Sequence, residues 1–154
     1  MVVRPETSPS AFAAPMTTRP IGFAVGNANE VIECIEFLKG RWRPDLCENS
    51  LELSERMLVL SRVARDRADA AALCRKALDS GRALERFRSI IERQGGDPRV
   101  IDDYNLMPKA PHERVIKAEV DGFITRLDAG LIGRAAVVLG GGRDKVDDEI
   151  DPGV

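Results

Sequence analysis

From Asn27 onward the apolar residues recur at helical spacing in four successive stretches. In the first, Val31, Cys34, Ile35 and Leu38 fall on one stripe, Asn27 offers a cap, and Gly40 supplies a stop. That pattern predicts a helix over 27–39. A second helix begins at Pro44-Asp45 and places Leu46, Leu53, Met57, Leu60 and Ala64 along one face. Glu48, Glu52, Glu55 and Arg56 fall largely outside that face. A third covers 69–80 and stops at Gly81, a natural residue for the position just past a helix end. A fourth covers 83–94, is expected to bury Leu84, Phe87 and Ile91, and stops at Gly95-Gly96.

The pattern then changes. Residues 97–111 contain Pro98, Pro108 and Pro111 and read as a linker. Beyond it Ile116, Ala118 and Val120 alternate with Lys117, Glu119 and Asp121, which is strand spacing. Asp121-Gly122 signals a turn, and Phe123-Ile124-Thr125 can continue as a second strand. Asp128 can cap a short helix through Leu131, Ile132, Ala135, Val138 and Leu139, ended by Gly140-Gly141-Gly142. The fold class is therefore α+β. Two strands and one helix are too little to close a core of their own, so the second block is expected to be incomplete.

Composition narrows the function classes. The 154 residues are 44% hydrophobic and 31% charged, with 23 Lys+Arg against 25 Asp+Glu and a formal net charge of −2. Apolar content is enough for a core, and a near-neutral charge balance gives no reason to expect nucleic acid as a partner. No apolar run approaches the ~20 residues of a membrane helix, so no membrane partner is expected either. The first nineteen residues, with Pro5, Pro9 and Pro15 among Ser, Thr and Ala, read as a mobile arm without the apolar core of a signal peptide. Cys34, Cys47 and Cys74 are odd in number and never paired as CxxC, which fits a reduced cytoplasmic setting with each thiol a small buried hydrophobe.

Candidate chemistry is sparse. His112 is the single histidine and sits in the Pro-flanked linker with no acid, base or ligand companion, so a surface or packing role is expected. Gly140-Gly141-Gly142-Arg143 follows a helix where a phosphate cradle would precede one, and it reads as a helix stop. Arg41-Trp42-Arg43, with Arg62, Arg65 and Arg67 beyond, pairs an aromatic with cations as single-strand binding sites do. The competing reading packs Trp42 in a loop and leaves the arginines solvated, and it is the one favoured here.

Residues 20–33 carry the most information. They run Pro-Ile-Gly-Phe-Ala-Val-Gly-Asn-Ala-Asn-Glu-Val-Ile-Glu. The glycines suit a tight loop entering a helix, and Glu30 and Glu33 fall in its first two turns, where carboxylates suit the dipole. Alternatively, loop carbonyls and one carboxylate converge on a hard cation.

This segment resembles the bacterial thymidine phosphorylase and pyrimidine-nucleoside phosphorylase family, whose motif reads approximately D-M-x-Q-P-L-G-x-A-V-G-N-A-x-E-V-x-E. Further motifs follow in family order. They include Pro44-Asp45-Leu46 with Glu55-Arg56-Met57-Leu58, and Ser80-Gly81-Arg82-Ala83-Leu84-Glu85-Arg86-Phe87 with Gln94-Gly95-Gly96-Asp97. Leu106-Met107-Pro108, Asp121-Gly122-Phe123, Ile132-Gly133-Arg134-Ala135-Ala136, Gly140-Gly141-Gly142-Arg143 and residues 147–154 complete the set. Upstream, the family's T-D-M is replaced by Ala14-Pro15-Met16, or by Pro15-Met16-Thr17 in a one-residue shift, without its Asp.

The resemblance implies a C-terminal fragment: residues 1–19 an arm, 20–105 the helical end of the large α/β domain, and 106–154 the start of a hammerhead-like barrel-sandwich domain, truncated. It implies a pentosyltransferase activity, with phosphate as co-substrate cleaving a pyrimidine nucleoside to free base and pentose 1-phosphate. The family's KHSTGG-type phosphate loop and its base-gripping residues have no counterpart in this sequence, and His112 is not its active-site histidine. No catalytic or substrate-binding residue is therefore assigned, and the isolated chain is expected to be inactive. The resemblance also implies a monovalent cation, usually potassium, held in part by the carbonyls of Ile21 and Ala24 and by Glu33, a half-site here. Family members are homodimers, which leaves the state of this chain open. A non-enzymatic helical interaction module derived from the family is the alternative.

Overall fold

A computed structural model describes residues 20–41 and 44–154. The 1–19 arm, Trp42 and Arg43 lie outside the described residues. The described chain divides into two compact units, one formed by residues 20–30 together with Met107–Val154, the other by Val31–Leu106.

The Val31–Leu106 unit is helical. Helix α1 (Ala28–Leu38) starts in the other unit and continues here. It stops where Gly40 adopts φ +81°: the Gly40 N–H donates to Phe37 O and the Arg41 N–H to Glu36 O, both at 2.9 Å. This paired arrangement satisfies carbonyls that a helix end leaves open. Helix α2 (Pro44–Leu60) closes the same way around Arg62, a non-glycine at φ +59°, with the Val63 N–H donating to Leu58 O. The stop has no glycine, so periodicity alone carries the helix too far; Ala64 is buried in the turn beyond it.

Helix α3 (Arg67–Asp79) begins two residues earlier than its apolar pattern predicts, because the Asp66 carboxylate accepts the Asp69 N–H at 2.9 Å and caps it. Gly81 at φ +73° separates α3 from α4 (Arg82–Arg93), and Gly95 at φ +80° ends α4. Leu84, Phe87 and Ile91 are half-buried, less covered than their spacing predicts.

The side of α2 that packs is not the expected one. Cys47 is fully buried, with Leu51 and Leu58 half-buried on the same side, whereas Leu53, Met57 and Leu60 are 48%, 68% and 82% exposed. Helix α2 carries two apolar faces, of which the Cys47 side is the covered one, and α2 packs against α3.

The expected linker is instead docked. Asp97 caps a 3₁₀ turn (Pro98–Ile101) and a second follows (Tyr104–Leu106). Ile101 is fully buried. The Arg88 guanidinium donates from two nitrogens to the two oxygens of Asp102 at 2.9 and 3.1 Å, and to Pro98 O at 3.2 Å. The Lys39 ammonium donates to Ile101 O and, at 3.0 Å, to the Tyr104 hydroxyl, which donates to Glu36. Two cations, Arg88 on α4 and Lys39 just past α1, thus hold a proline-containing segment whose sequence carries no period.

In the other unit Asp128 caps α5 (Ala129–Ala136) by accepting the Leu131 N–H at 3.1 Å. A π-helical turn (Val137–Gly141) follows and breaks where Gly140 takes φ +100°. The glycine triplet therefore acts as the helix stop read from sequence. The expected hairpin is absent: among the described residues there is no β-strand. Ile116 and Val120 are each 79% exposed and Phe123 89%. Alternation is a preference, and a strand forms only where a second strand accepts its N–H and C=O groups.

Candidate functional site

The loop entering α1 is the best-defined feature that the sequence singles out, and its geometry comes from close backbone approach. Gly26 lies at φ +145°, and a Cβ there would sit 2.5 Å from the carbonyl oxygen of Val154. Glycine is required on both counts. The Gly26 N–H donates to Glu30 Oε1 at 3.1 Å, so Glu30 reaches back from the first turn as the capping reading expects.

Residues 151–154 complete the start of α1. The Asn27 N–H donates to Val154 O at 2.6 Å and the Ala28 N–H to Pro152 O at 3.1 Å. Both are donors that a helix start leaves open. The Asn27 side chain reaches further, with Nδ2 donating to Gly141 O at 2.9 Å and to Asp151 O at 3.2 Å. The turn is held from within by Asp151 Oδ1, which accepts the Gly153 N–H at 2.8 Å, and by Gly140 O, which accepts the Asp151 N–H at 2.8 Å. Gly153 O accepts the Ala110 N–H at 3.1 Å. Sequence reasoning offered Asn27 only as a helix cap and missed its partners. The signal was the Asp-Pro-Gly run at 151–153 beside a glycine triplet, marking two backbones close enough to exclude side chains.

Of the residues implied as cation ligands, Ile21 and Ala24 lie in this loop, and Glu33 lies on α1 within the Val31–Leu106 unit at 9% exposure. Carbonyls and carboxylates are oxygen donors, the kind a hard cation takes. Among the described residues no group of three or more His, Cys, Asp or Glu side chains could hold a metal.

The remaining candidates separate from any site. His112 is exposed. Cys47 is buried as expected, whereas Cys34 is exposed. Burial, with Glu55 nearby, pushes the Cys74 thiol up, which disfavours the thiolate a nucleophile needs. Arg65 pairs with Asp69 at 3.2 Å, and Arg67 pairs with Glu55 at 3.1 Å and Glu52 at 3.4 Å. These arginines are solvated and engaged within the fold.

A polar cluster in the helical unit shifts two acids. The hydrogen bond from Tyr104, followed by Arg41, holds the Glu36 carboxyl below the usual carboxylate range, and burial and Glu36 push the Tyr104 hydroxyl up. Its members tie α1 to the docked 97–106 segment.

No protein-family model matches the chain. Curated proteins do. The pyrimidine-nucleoside phosphorylase of Staphylococcus aureus strain bovine RF122 / ET3-1 is 43% identical over 133 residues, covering 86% of this chain and 31% of that protein. The proteins of the same name from strains USA300 and NCTC 8325 / PS 47 are 42% identical over the same spans. Over these residues the chain is similar to proteins named pyrimidine-nucleoside phosphorylase. It spans about a third of the length of those curated relatives. The resemblance read from linked motifs is thereby borne out. No helix among the described residues is long and apolar enough to cross a membrane.

Proposed function

We propose that the chain carries one part of a pyrimidine nucleoside phosphorylase, an enzyme taking thymidine and phosphate to thymine and 2-deoxyribose 1-phosphate in cytoplasmic nucleoside salvage. The observation that carries this reading is 43% identity sustained over 133 residues. In that assignment residues 20–105 correspond to the helical end of the large domain. Residues 106–154 correspond to the start of a barrel-sandwich domain, whose strands would need further chain to pair with.

Phosphorolysis depends on groups that hold phosphate and polarise the leaving base. The sequence has no KHSTGG-type run and the described residues bring together no nucleophile and base, so the chain by itself is proposed to be inactive. The test is phosphate-dependent release of thymine from thymidine by the purified chain. No release is expected, and turnover would overturn the proposed inactivity.

The carbonyls of Ile21 and Ala24 with the Glu33 carboxylate are proposed to contribute to a potassium site, where the cation's charge would order the loop. Potassium-dependent thermal stabilisation that disappears in Glu33→Ala is the expected result. An identical response in the variant would remove Glu33 from the site.

One observation favours a second reading, a helical interaction module. Leu53, Met57 and Leu60 form an exposed apolar stripe on α2. Partner capture that is lost in Leu60→Glu and indifferent to cation and nucleoside would support it.

A further inference from the structure

We propose that residues 114–122 are a dimerisation strand. The segment pairs antiparallel with the same segment of a second copy of this chain, about a two-fold axis at Ala118. Neither the loop before α1 nor the phosphorylase reading enters into it.

The stretch is patterned as a strand and lacks what a strand needs. Ile116, Ala118 and Val120 alternate with Lys117, Glu119 and Asp121. Every residue from 108 to 126 is exposed, and the chain takes no regular form over 112–118 and 122–128, with a bend at 119–121 between them. Among the described residues, no backbone N–H or C=O of 111–127 is hydrogen-bonded within the chain. Open backbone groups beside alternating apolar side chains are a template for another strand, whose addition satisfies them.

The symmetry of the segment's own charges identifies the second strand. In an antiparallel pair, residues directly opposite each other share a face. Centred on Ala118, the pairing sets Ile116 opposite Val120 of the second copy and Lys117 opposite Glu119 of the second copy, each twice by the two-fold operation. One face then carries Ile116, Ala118 and Val120 from both copies, and the other carries two pairs of opposite charge. Neighbouring registers lose this match. A centre at Lys117 or at Glu119 sets that residue against its own like charge. A shift by half a step sets Ile116 against Glu119, or Lys117 against Val120, and brings charge onto the apolar face. Parallel pairing in register opposes Lys117 to Lys117 and Glu119 to Glu119. Facing apolar and opposite-charge pairs stabilise a sheet and like charges oppose it, so the Ala118-centred register is selected over these. A lone two-stranded ribbon is marginal in water, so the dimer is expected to form and dissociate with protein concentration.

The test follows the full chain by sedimentation velocity up to millimolar concentration, as wild type, Lys117→Glu, Glu119→Lys and the double variant Lys117→Glu/Glu119→Lys. Both side chains are exposed, so the fold is not at stake. Wild type is expected to show a reversible monomer–dimer equilibrium, with hydrogen-exchange protection over 115–121 that grows with protein concentration. Each single variant turns both facing pairs into like-charge pairs and should weaken the dimer at least about fivefold. The double variant exchanges the two charges and should restore it. An equimolar mixture of the two single variants should also dimerise more strongly than either alone, because each copy then meets the charge opposite to its own.

A wild type that stays monomeric throughout, leaving the segment to a strand of some other polypeptide, overturns the proposal. So does a dimer that neither single charge change weakens, or one that the double variant and the mixture fail to restore. A dimer lost in Leu60→Glu and untouched by the changes at 117 and 119 lies on α2 and overturns it as well.

Discussion

Replacing Ile101 by alanine tests the least legible element of the helical unit. Ile101 lies in the first of two 3₁₀ turns, in a segment whose prolines suggest a loose connection, yet it is fully buried. The substitution removes three carbons from a closed environment. At about 0.8 kcal/mol for each buried methylene-sized group, the lost transfer energy is roughly 2.4 kcal/mol. The cavity left behind adds to it, and buried isoleucine-to-alanine changes cost about 2–5 kcal/mol in total. The neighbouring anchors, Arg88 on Asp102 and Lys39 on Tyr104, hold the backbone and limit collapse into the space, which favours the upper part of that range. The assay is urea unfolding followed by far-ultraviolet circular dichroism, with Leu60→Ala as the control. Leu60 is 82% exposed, so its truncation should cost no more than about 0.5 kcal/mol. Equal midpoints for the two variants would refute the docking of residues 97–106.

Gly26→Ala should be destabilised well beyond Gly40→Ala. Both need positive φ, but only at Gly26 does the added Cβ strike a backbone oxygen, at 2.5 Å, and nothing lies within 4 Å of the one at Gly40. Thermal unfolding compares them, and similar melting temperatures would contradict the close approach to Val154. Acid should weaken the helical unit through Glu36, whose depressed folded pKa means that its contribution is complete above the unfolded value of about 4.3 and lost as pH falls through the lower folded value. Tyr104→Phe removes the largest cause of that depression and should flatten this part of the acid limb in a pH series of denaturation midpoints. An unchanged slope would show that Tyr104 does not set it. On the alkaline side, the raised Tyr104 pKa gives a contribution complete below the unfolded value of about 10 and lost as pH rises beyond it; Tyr104→Phe should remove that loss too.

How far the fold is legible depends on whether a residue's partner is near in sequence. Helix starts and stops are set by neighbours. Asp66, Asp97 and Asp128 accept N–H groups two or three residues on, and Gly40, Gly81 and Gly95 take the positive φ that ends a helix. All are local signals, whereas Arg62, doing a glycine's work, carries none. Periodicity fails one level up. Helix α2 offers one apolar face with Cys47 and another with Met57, and the choice between them depends on tertiary partners that no local window contains. The same limit explains 115–124, where alternation promises a strand that nothing in the described chain pairs with.

The loop at 20–27 lies between these cases. Its glycines and Asn27 are conspicuous in sequence, and the family motif places them together. Their physical reason is Val154 and Gly141, more than a hundred residues away. A conspicuous local motif whose explanation is a distant backbone combines small residues that allow the approach with one two-donor side chain that fixes its register. Unit boundaries drawn from composition would separate residues 20–30 from 107–154, whereas the hydrogen bonds of Asn27 and Ala28 join them into one unit. Removal of residues 151–154 should therefore be felt at the start of α1, at Asn27 and Ala28, before it is felt at α3 or α4.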